Sequence, residues 1–282
     1  MIQVLLPGEA TLKELAFEET PAFRRQITAA LWIDLLHPTP EEELSLENIL
    51  GLEIPSREEM HEISESSRLF VEKEALYMSC WALCYETVIP QNASVTFILT
   101  AKHFVSIRYS DHHAFRVFNQ SRGRLQGRKP VSTACALVDL LEAMIGHIAS
   151  TLRLLEQDLN SLSTLIFSEQ DTQRKAAKKV GLKQIVHRIG KRNAVVSNLR
   201  ESLVSLSTLT PFLIGNATWK IVPDLSGRMQ TIKQDIKSLS EYDAQLSAEI
   251  TFLLDSTIGL ISVEQNQSMK VLSIAAVLVA FI

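Results

Sequence analysis

The chain predicts an α+β/α architecture: an N-terminal α/β domain with a mixed sheet, followed by long helices that include one stalk helix of about 60 residues. Three observations predict it. Up to about residue 110, short runs of β-branched and aromatic residues alternate with helix-start signals. Between Pro130 and Pro211 there is no proline. From residue 225 to residue 253, apolar side chains recur in steps of four and three.

Residues 29–36 (AALWIDLL) read as the first strand. Thr39-Pro40-Glu41-Glu42-Glu43 then combines an N-cap hydroxyl, a proline at the first helical position and early acids, which favour the positive end of a helix dipole. Pro55-Ser56-Arg57-Glu58-Glu59 is a second such start. Runs at 67–72, 75–85, 93–99 and 103–109 read as further strands, giving an α/β domain with a mixed sheet over residues 1–130.

After Pro130 a long helical pair is expected over residues 131–222, with helices at about 131–167 and 170–208 and a turn carrying Pro211, Gly215, Asn216 and Pro223. The stalk helix follows over residues 223–270. Its seam is Leu225, Met229, Ile232, Ile236, Leu239, Asp243, Leu246, Ile250 and Leu253, a heptad pattern with one polar break that predicts packing against other helices. At about 1.5 Å per residue the proline-free run after Pro223 would extend roughly 90 Å, too long for one compact domain.

Composition narrows function. With 46% hydrophobic residues the chain builds a core, and 21% charged residues at a net charge of −4 provide no basic field for nucleic acid. Cys80, Cys84 and Cys135 are odd in number and fit a reducing compartment; the N-terminus lacks the features of an export signal. Residues 271–282 (VLSIAAVLVAFI) carry no charge, yet a spanning helix needs about 20 apolar residues. By hydropathy this is either a buried helix end or the start of a transmembrane helix.

No phosphate loop, nucleophile elbow or zinc-protease helix is present, so neither an enzyme nor an enzymatic cofactor is expected. Cys80 and Cys84 lie in a predicted strand and read as core thiols. Asp111-His112-His113 reads as a solvated turn, and His37, His61, His103, His147 and His187 are scattered. Arg174, Lys175, Lys178, Lys179, Lys183, Arg188, Lys191 and Arg192 have no acid between them, which suits a solvated helix face, a ring of positive charge or contact with anionic headgroups.

Ahead of the apolar end stand Asn266, Met269, Lys270, Leu272 and Ser273, in the order Asn-x-x-Met-Lys-x-Leu-Ser. This segment resembles the CorA/ZntB family of pentameric metal transporters, in which such a segment joins a long stalk helix to the first transmembrane helix. The stretches IPSREEMHEISESSRLF and VTFILTAKHFVSIRY are similar to the cytoplasmic domain of bacterial members. The resemblance implies the cytoplasmic funnel and stalk of a divalent-cation transporter for Mg2+ or Zn2+. It further implies a homopentamer in contact with membrane lipid at the inner membrane, with this portion mainly cytoplasmic. Residues 271–282 would begin the first transmembrane helix. The family's Gly-Met-Asn motif and second transmembrane helix do not occur in these 282 residues, so a truncated chain is expected. The rival is a membrane-attached coiled-coil scaffold that moves no ion.

Asp255, Ile258, Ser262, Asn266 and Met269 advance by three or four residues and share one helical face, with Leu272 on its edge. Periodicity alone also fits packing and solvated residues. Under the resemblance, Asp255, Ser262, Asn266, Met269 and Leu272 line an axial path, with oxygen groups suited to a hydrated hard cation and Met269 and Leu272 as apolar constrictions. The resemblance also implies a regulatory metal site between subunits. Its first acid falls at Glu86, and its second position is Thr231, which has no carboxylate, while Asp235 lies one turn further on. The candidate metal ligands are therefore Glu86, Asp235 and Asp255.

Overall fold

A computed structural model describes residues 1–62, 68–84, 90–124, 132–167, 181–216 and 223–280. The chain divides into unit one, Met1–Ser150 with Asn198–Ser240, and unit two, Thr151–Ser197 with Glu241–Ile282.

Unit one is built on a sheet of β1 (Ile2–Leu5), β2 (Lys13–Leu15), β3 (Trp32–Leu36), β4 (Leu69–Glu72), β5 (Ala75–Cys84), β6 (Gln91–Leu99) and β7 (Phe104–Arg108). Among the described residues the order is β2-β1-β3-β7-β6-β5-β4, with β3 and β7 parallel and the other pairs antiparallel. The sheet is thus mixed, as the alternating strand and helix signals predict. Among the described residues four short helices accompany it: α1 (Pro21–Ala29), α2 (Pro40–Leu50), α3 (Arg57–Glu62) and α4 (His113–Arg124).

The expected helix starts have a local cause. The Thr39 hydroxyl accepts from the Glu42 N–H at 3.2 Å, and Glu42 returns a carboxylate to the Thr39 N–H at 2.9 Å. Ser56 and Glu59 repeat this reciprocal box at 3.3 and 2.8 Å. Helix α2 stops at Gly51, whose φ of 68° is the left-handed cap that glycine adopts without penalty. The strand expected from residue 29 starts at Trp32 instead, because Ala29 closes α1 and the Ala30 N–H caps it on the Ile27 carbonyl at 3.2 Å. The sequence reading did not find β1, β2, α1 or α4. The two strands are only four and three residues long, below the length at which alternation is informative.

The centre of the sheet holds a buried polar network. Trp32 Nε1 donates to Ser106 Oγ at 2.9 Å, and Ser106 Oγ donates to Asp34 Oδ1 at 2.6 Å. Arg108 Nη2 donates to Asp34 Oδ2 at 2.8 Å, and its guanidinium lies 4.3 Å over the Phe115 ring. The parallel register places Ser106 opposite Asp34 and Arg108 opposite Leu36, so the β3–β7 ladder delivers the partners. Every charge in the network is compensated, the condition for placing ions in a core.

Next to it, His112 corrects the expectation of a solvated turn. It is fully buried, joined to Cys84 by an isolated antiparallel bridge, with Nε2 3.4 Å from the Ala93 carbonyl. Asp111 does lie at the surface, near Arg108 and Arg116 at 3.5 and 3.4 Å. The three cysteines are buried thiols, and burial pushes the Cys80 thiol up to about 12.

Among the described residues three long helices follow: α5 (Thr133–Phe167), α6 (Leu182–Asn216) and α7 (Pro223–Ala280). Residues 168–180, where the second helix was expected to begin, lie outside the described residues. The turn expected at Pro211 is not formed there; α6 runs through that proline to Asn216. A proline inside a helix costs about 3 kcal/mol. Burying Leu213, in line with Leu206 and Leu209, returns about 1.5–3 kcal/mol for that one side chain, so the continued apolar stripe offsets most of the break. Helix α7 is 58 residues long, in agreement with the expected stalk. Of its seam, Leu225, Met229, Ile232 and Ile236 are buried in unit one, and Asp243, Leu246, Ile250 and Leu253 in unit two.

Candidate functional site

Both α5 and α7 contain a window apolar enough to cross a membrane, but they differ in burial. The α5 window is 56% buried inside the molecule, as in a core helix, whereas that of α7 is 22% buried. In unit two the buried stripe of α7 is Leu246, Ile250, Leu253 and Thr257, again in steps of four and three. Asp255 lies two residues beyond Leu253, about 200° around the helix, and so falls on the opposite side.

Asp255, Ile258, Ser262, Asn266 and Met269 are accordingly all exposed on one face. The Ser262 hydroxyl donates to the Ile258 carbonyl at 3.1 Å and keeps its oxygen as an acceptor. That face thus presents a carboxylate, a hydroxyl and an amide in succession, followed by a thioether. From Val271 onwards, exposed apolar side chains surround the helix: Val271, Leu272, Ile274 and Val277 are each more than half exposed. A helix that is apolar all round is stable only when other apolar matter covers it.

Met269 and Leu272 also line an open groove of about 720 Å3 between this part of α7 and the first turn of α6. Its other walls include Lys183 and Gln184 from α6 and Glu264, Gln265 and Ser268 from α7. Asn266 is not on the groove, so the structure separates it from Leu272 and leaves Met269 between the two. Sequence reasoning missed that Lys183 and Glu264 border one groove, because no local signal links helices so far apart in the chain.

Asp235 lies in unit one, exposed, on a groove of about 350 Å3 shared with Glu142 and Ser238. Glu142 is already engaged: Arg228 Nε and Nη2 donate to its carboxylate at 2.8 and 2.7 Å, and Nη2 also reaches Asp139 at 2.6 Å. The hydrogen bonds to Glu142 raise the Arg228 pKa further. Thr231 donates to the Gly227 carbonyl at 3.2 Å. Glu86 lies outside the described residues, and Asp235 and Asp255 belong to different units. Among the described residues no group of three or more His, Cys, Asp or Glu side chains is arranged to hold a metal ion.

The architecture is a mixed-sheet α/β unit followed by long helices, the last of which becomes apolar on every side. Comparison with known proteins specifies the class. A family profile described as "CorA-like Mg2+ transporter protein" matches residues 28–280, and the chain belongs to that family. The magnesium transport protein CorA of Haemophilus influenzae is 26% identical over 253 residues, covering 89% of this chain and 77% of the relative. CorA of Salmonella typhimurium is 23% identical over 267 residues, covering 94% and 80%. Among solved structures, the complete CorA magnesium transporter from Methanocaldococcus jannaschii matches with a TM-score of 0.67 at 16% identity, over 96% of this chain and 80% of that one. The ZntB cytoplasmic domain from Vibrio parahaemolyticus matches at 0.55 and 13%, over 82% and 87%. At these identities the structural likeness establishes the fold.

Proposed function

We propose that this chain forms the cytoplasmic funnel and stalk of an inner-membrane divalent-cation transporter, a homopentamer that acts as a conduit and not as an enzyme. The observation that carries the reading is the exposed face of α7: Asp255, Ser262, Asn266 and Met269 lie in line just before the helix turns apolar. Five such faces around an axis would stack rings of carboxylate, hydroxyl and amide oxygen, suited to a hydrated hard cation that keeps several waters. The rings at Met269 and at Leu272 would be apolar constrictions that stop ion flow when they dewet. Membrane entry at residues 271–282 brings lipid contact, with residues 1–130 as the cytoplasmic α/β domain, 131–222 as the helical pair and 223–270 as the stalk. The relatives named as magnesium transport proteins favour Mg2+ over Zn2+ as cargo. Asp235, exposed on unit one, is available to a regulatory ion shared with Glu86 of a neighbouring copy.

The test is Mg2+ and Zn2+ uptake into proteoliposomes containing the full-length protein, with Asn266→Ala as the pore variant. Uptake of Mg2+ that falls at least tenfold in the variant is the expected result. Uptake of neither ion above that of empty liposomes would sink the reading.

A further inference from the structure

Unit one contains a small cavity where the sheet meets α4, α5 and α6. Its volume is about 10 Å3, the least that accommodates one water. His112, from the turn between β7 and α4, lines it together with Met144 and His147 of α5, and Trp81, Phe115 and Leu206 add apolar wall. Met144 and His147 are three residues apart and so project from one face of α5.

His112 carries the decisive atom. Its ring is fully buried, and Nε2 lies 3.4 Å from the Ala93 carbonyl. A carbonyl only accepts, so the ring proton sits on Nε2 and Nδ1 is left with a lone pair. That Nδ1 is shut off from solvent and accepts no hydrogen bond. A buried acceptor without a donor is costly, and a ligand in the adjoining cavity would remove the cost.

We propose that the cavity holds one cuprous ion, bound by His112 Nδ1, a ring nitrogen of His147 and the thioether sulfur of Met144. A metal ion is smaller than a water and fits the volume. The thioether selects among metals: it is a soft ligand that suits Cu(I), whereas Mg2+ takes oxygen ligands and Zn2+ is held by imidazole, thiolate or carboxylate. All three donors are neutral, and the Arg108 charge beside His112 is matched by Asp34 alone, which leaves no anion for the ion. The desolvation penalty of an ion rises with the square of its charge, so a monovalent ion enters such a site at lower cost than a dication. Burial keeps both rings neutral at pH 7, the ligating form. His113, whose ring centre is 4.7 Å from that of His147, limits how the latter can turn. The site shares no residue with the conduction face of α7 and does not depend on that reading.

The experiment is anaerobic titration of the whole chain in detergent with Cu(I) buffered by bicinchoninate. One Cu(I) per chain is the expected stoichiometry, not displaced by excess Mg2+ or Zn2+. The ion joins donors that only the fold brings together, so Cu(I) should also raise Tm. His112→Gln and Met144→Leu should each weaken binding at least about tenfold, and Met60→Leu, in the core but outside the cavity, should leave it unchanged. Leucine replaces methionine with little loss of packing, so Met144→Leu decides the matter if His112→Gln folds poorly. Copper K-edge absorption of the loaded chain should show a shell of nitrogens with one sulfur. Absence of saturable Cu(I) uptake would leave the cavity to water alone and overturn the proposal. Displacement by excess Zn2+, or binding unchanged in Met144→Leu, would overturn it equally. An all-sulfur shell would put the ion on the cysteines and do the same.

Discussion

Arg108 and Asp34 form an ion pair across the parallel β3–β7 ladder, Nη2 to Oδ2 at 2.8 Å, with both side chains almost completely removed from solvent. Removing one partner strands a charge in the core, which costs about 3–5 kcal/mol. Asp34→Ala should therefore lower the stability of unit one by that amount, read as a shift of the urea midpoint followed by fluorescence of Trp32, whose indole bonds into the same network. The double variant Asp34→Leu/Arg108→Met, which leaves no charge behind, should recover most of the loss. A single-variant loss below about 1 kcal/mol would mean that water reaches the pair.

Pro211 gives a prediction of opposite sign. Its missing N–H and ring clash cost the helix about 3 kcal/mol, while its restriction of the unfolded chain contributes about 0.4–1 kcal/mol of stability. The first effect is larger. Pro211→Ala should stabilise the protein by about 2–2.6 kcal/mol and raise Tm, since residue 211 is on the exposed side of α6 and the substitution opens no cavity. A fall in Tm would indicate that a kink at this point is required by the packing of Leu209 and Leu213.

Burial pushes the pKa of His112 down to about 4, helped by the Arg108 charge, and that of His147 down to about 4, helped by the His113 and Arg116 charges. Both folded values lie below the usual 6.5, so the folded protein binds fewer protons than the unfolded chain between pH 6.5 and 4. Their contribution is complete above pH 6.5 and is lost as pH falls towards 4. The urea midpoint should drop steadily over that window, and a His112→Gln/His147→Gln variant should show a shallower slope. Identical slopes would mean that other groups carry the acid sensitivity.

Met269 and Val271 are equally exposed in the single chain, at 64% and 67%, so exposure alone predicts equal effects of truncation. The pore assignment predicts unequal ones, because the helix turns residue 271 about 200° away from residue 269. In proteoliposomes with the full-length protein at matched incorporation, Met269→Ala should change divalent-cation flux severalfold and Val271→Ala much less. Equal effects, or a larger one at Val271, would place the axis on another face of α7.

Local signals were legible without a structure wherever one short segment contains its own partners. The Thr39–Glu42 box, the strand runs and the heptad of α7 depend on neighbours three to seven residues away, so their periodicity and caps could be read along the chain. The line of Asp255, Ser262, Asn266 and Met269 follows from helical geometry in the same way. Partners distant in sequence were decided by the tertiary structure. Asp34 and Arg108 are 74 residues apart and meet only because β3 and β7 pair in parallel. His112 lies between polar neighbours in sequence and is nevertheless buried, since the bridge to Cys84 holds it against the end of β5. Helix α6 passes Pro211 because burial of the apolar stripe that includes Leu213 offsets most of a local break signal. Lys183 and Glu264 share a groove through the packing of α6 on α7. A periodic pattern is a property of a segment, whereas burial and charge pairing belong to surfaces brought together from remote parts of the chain.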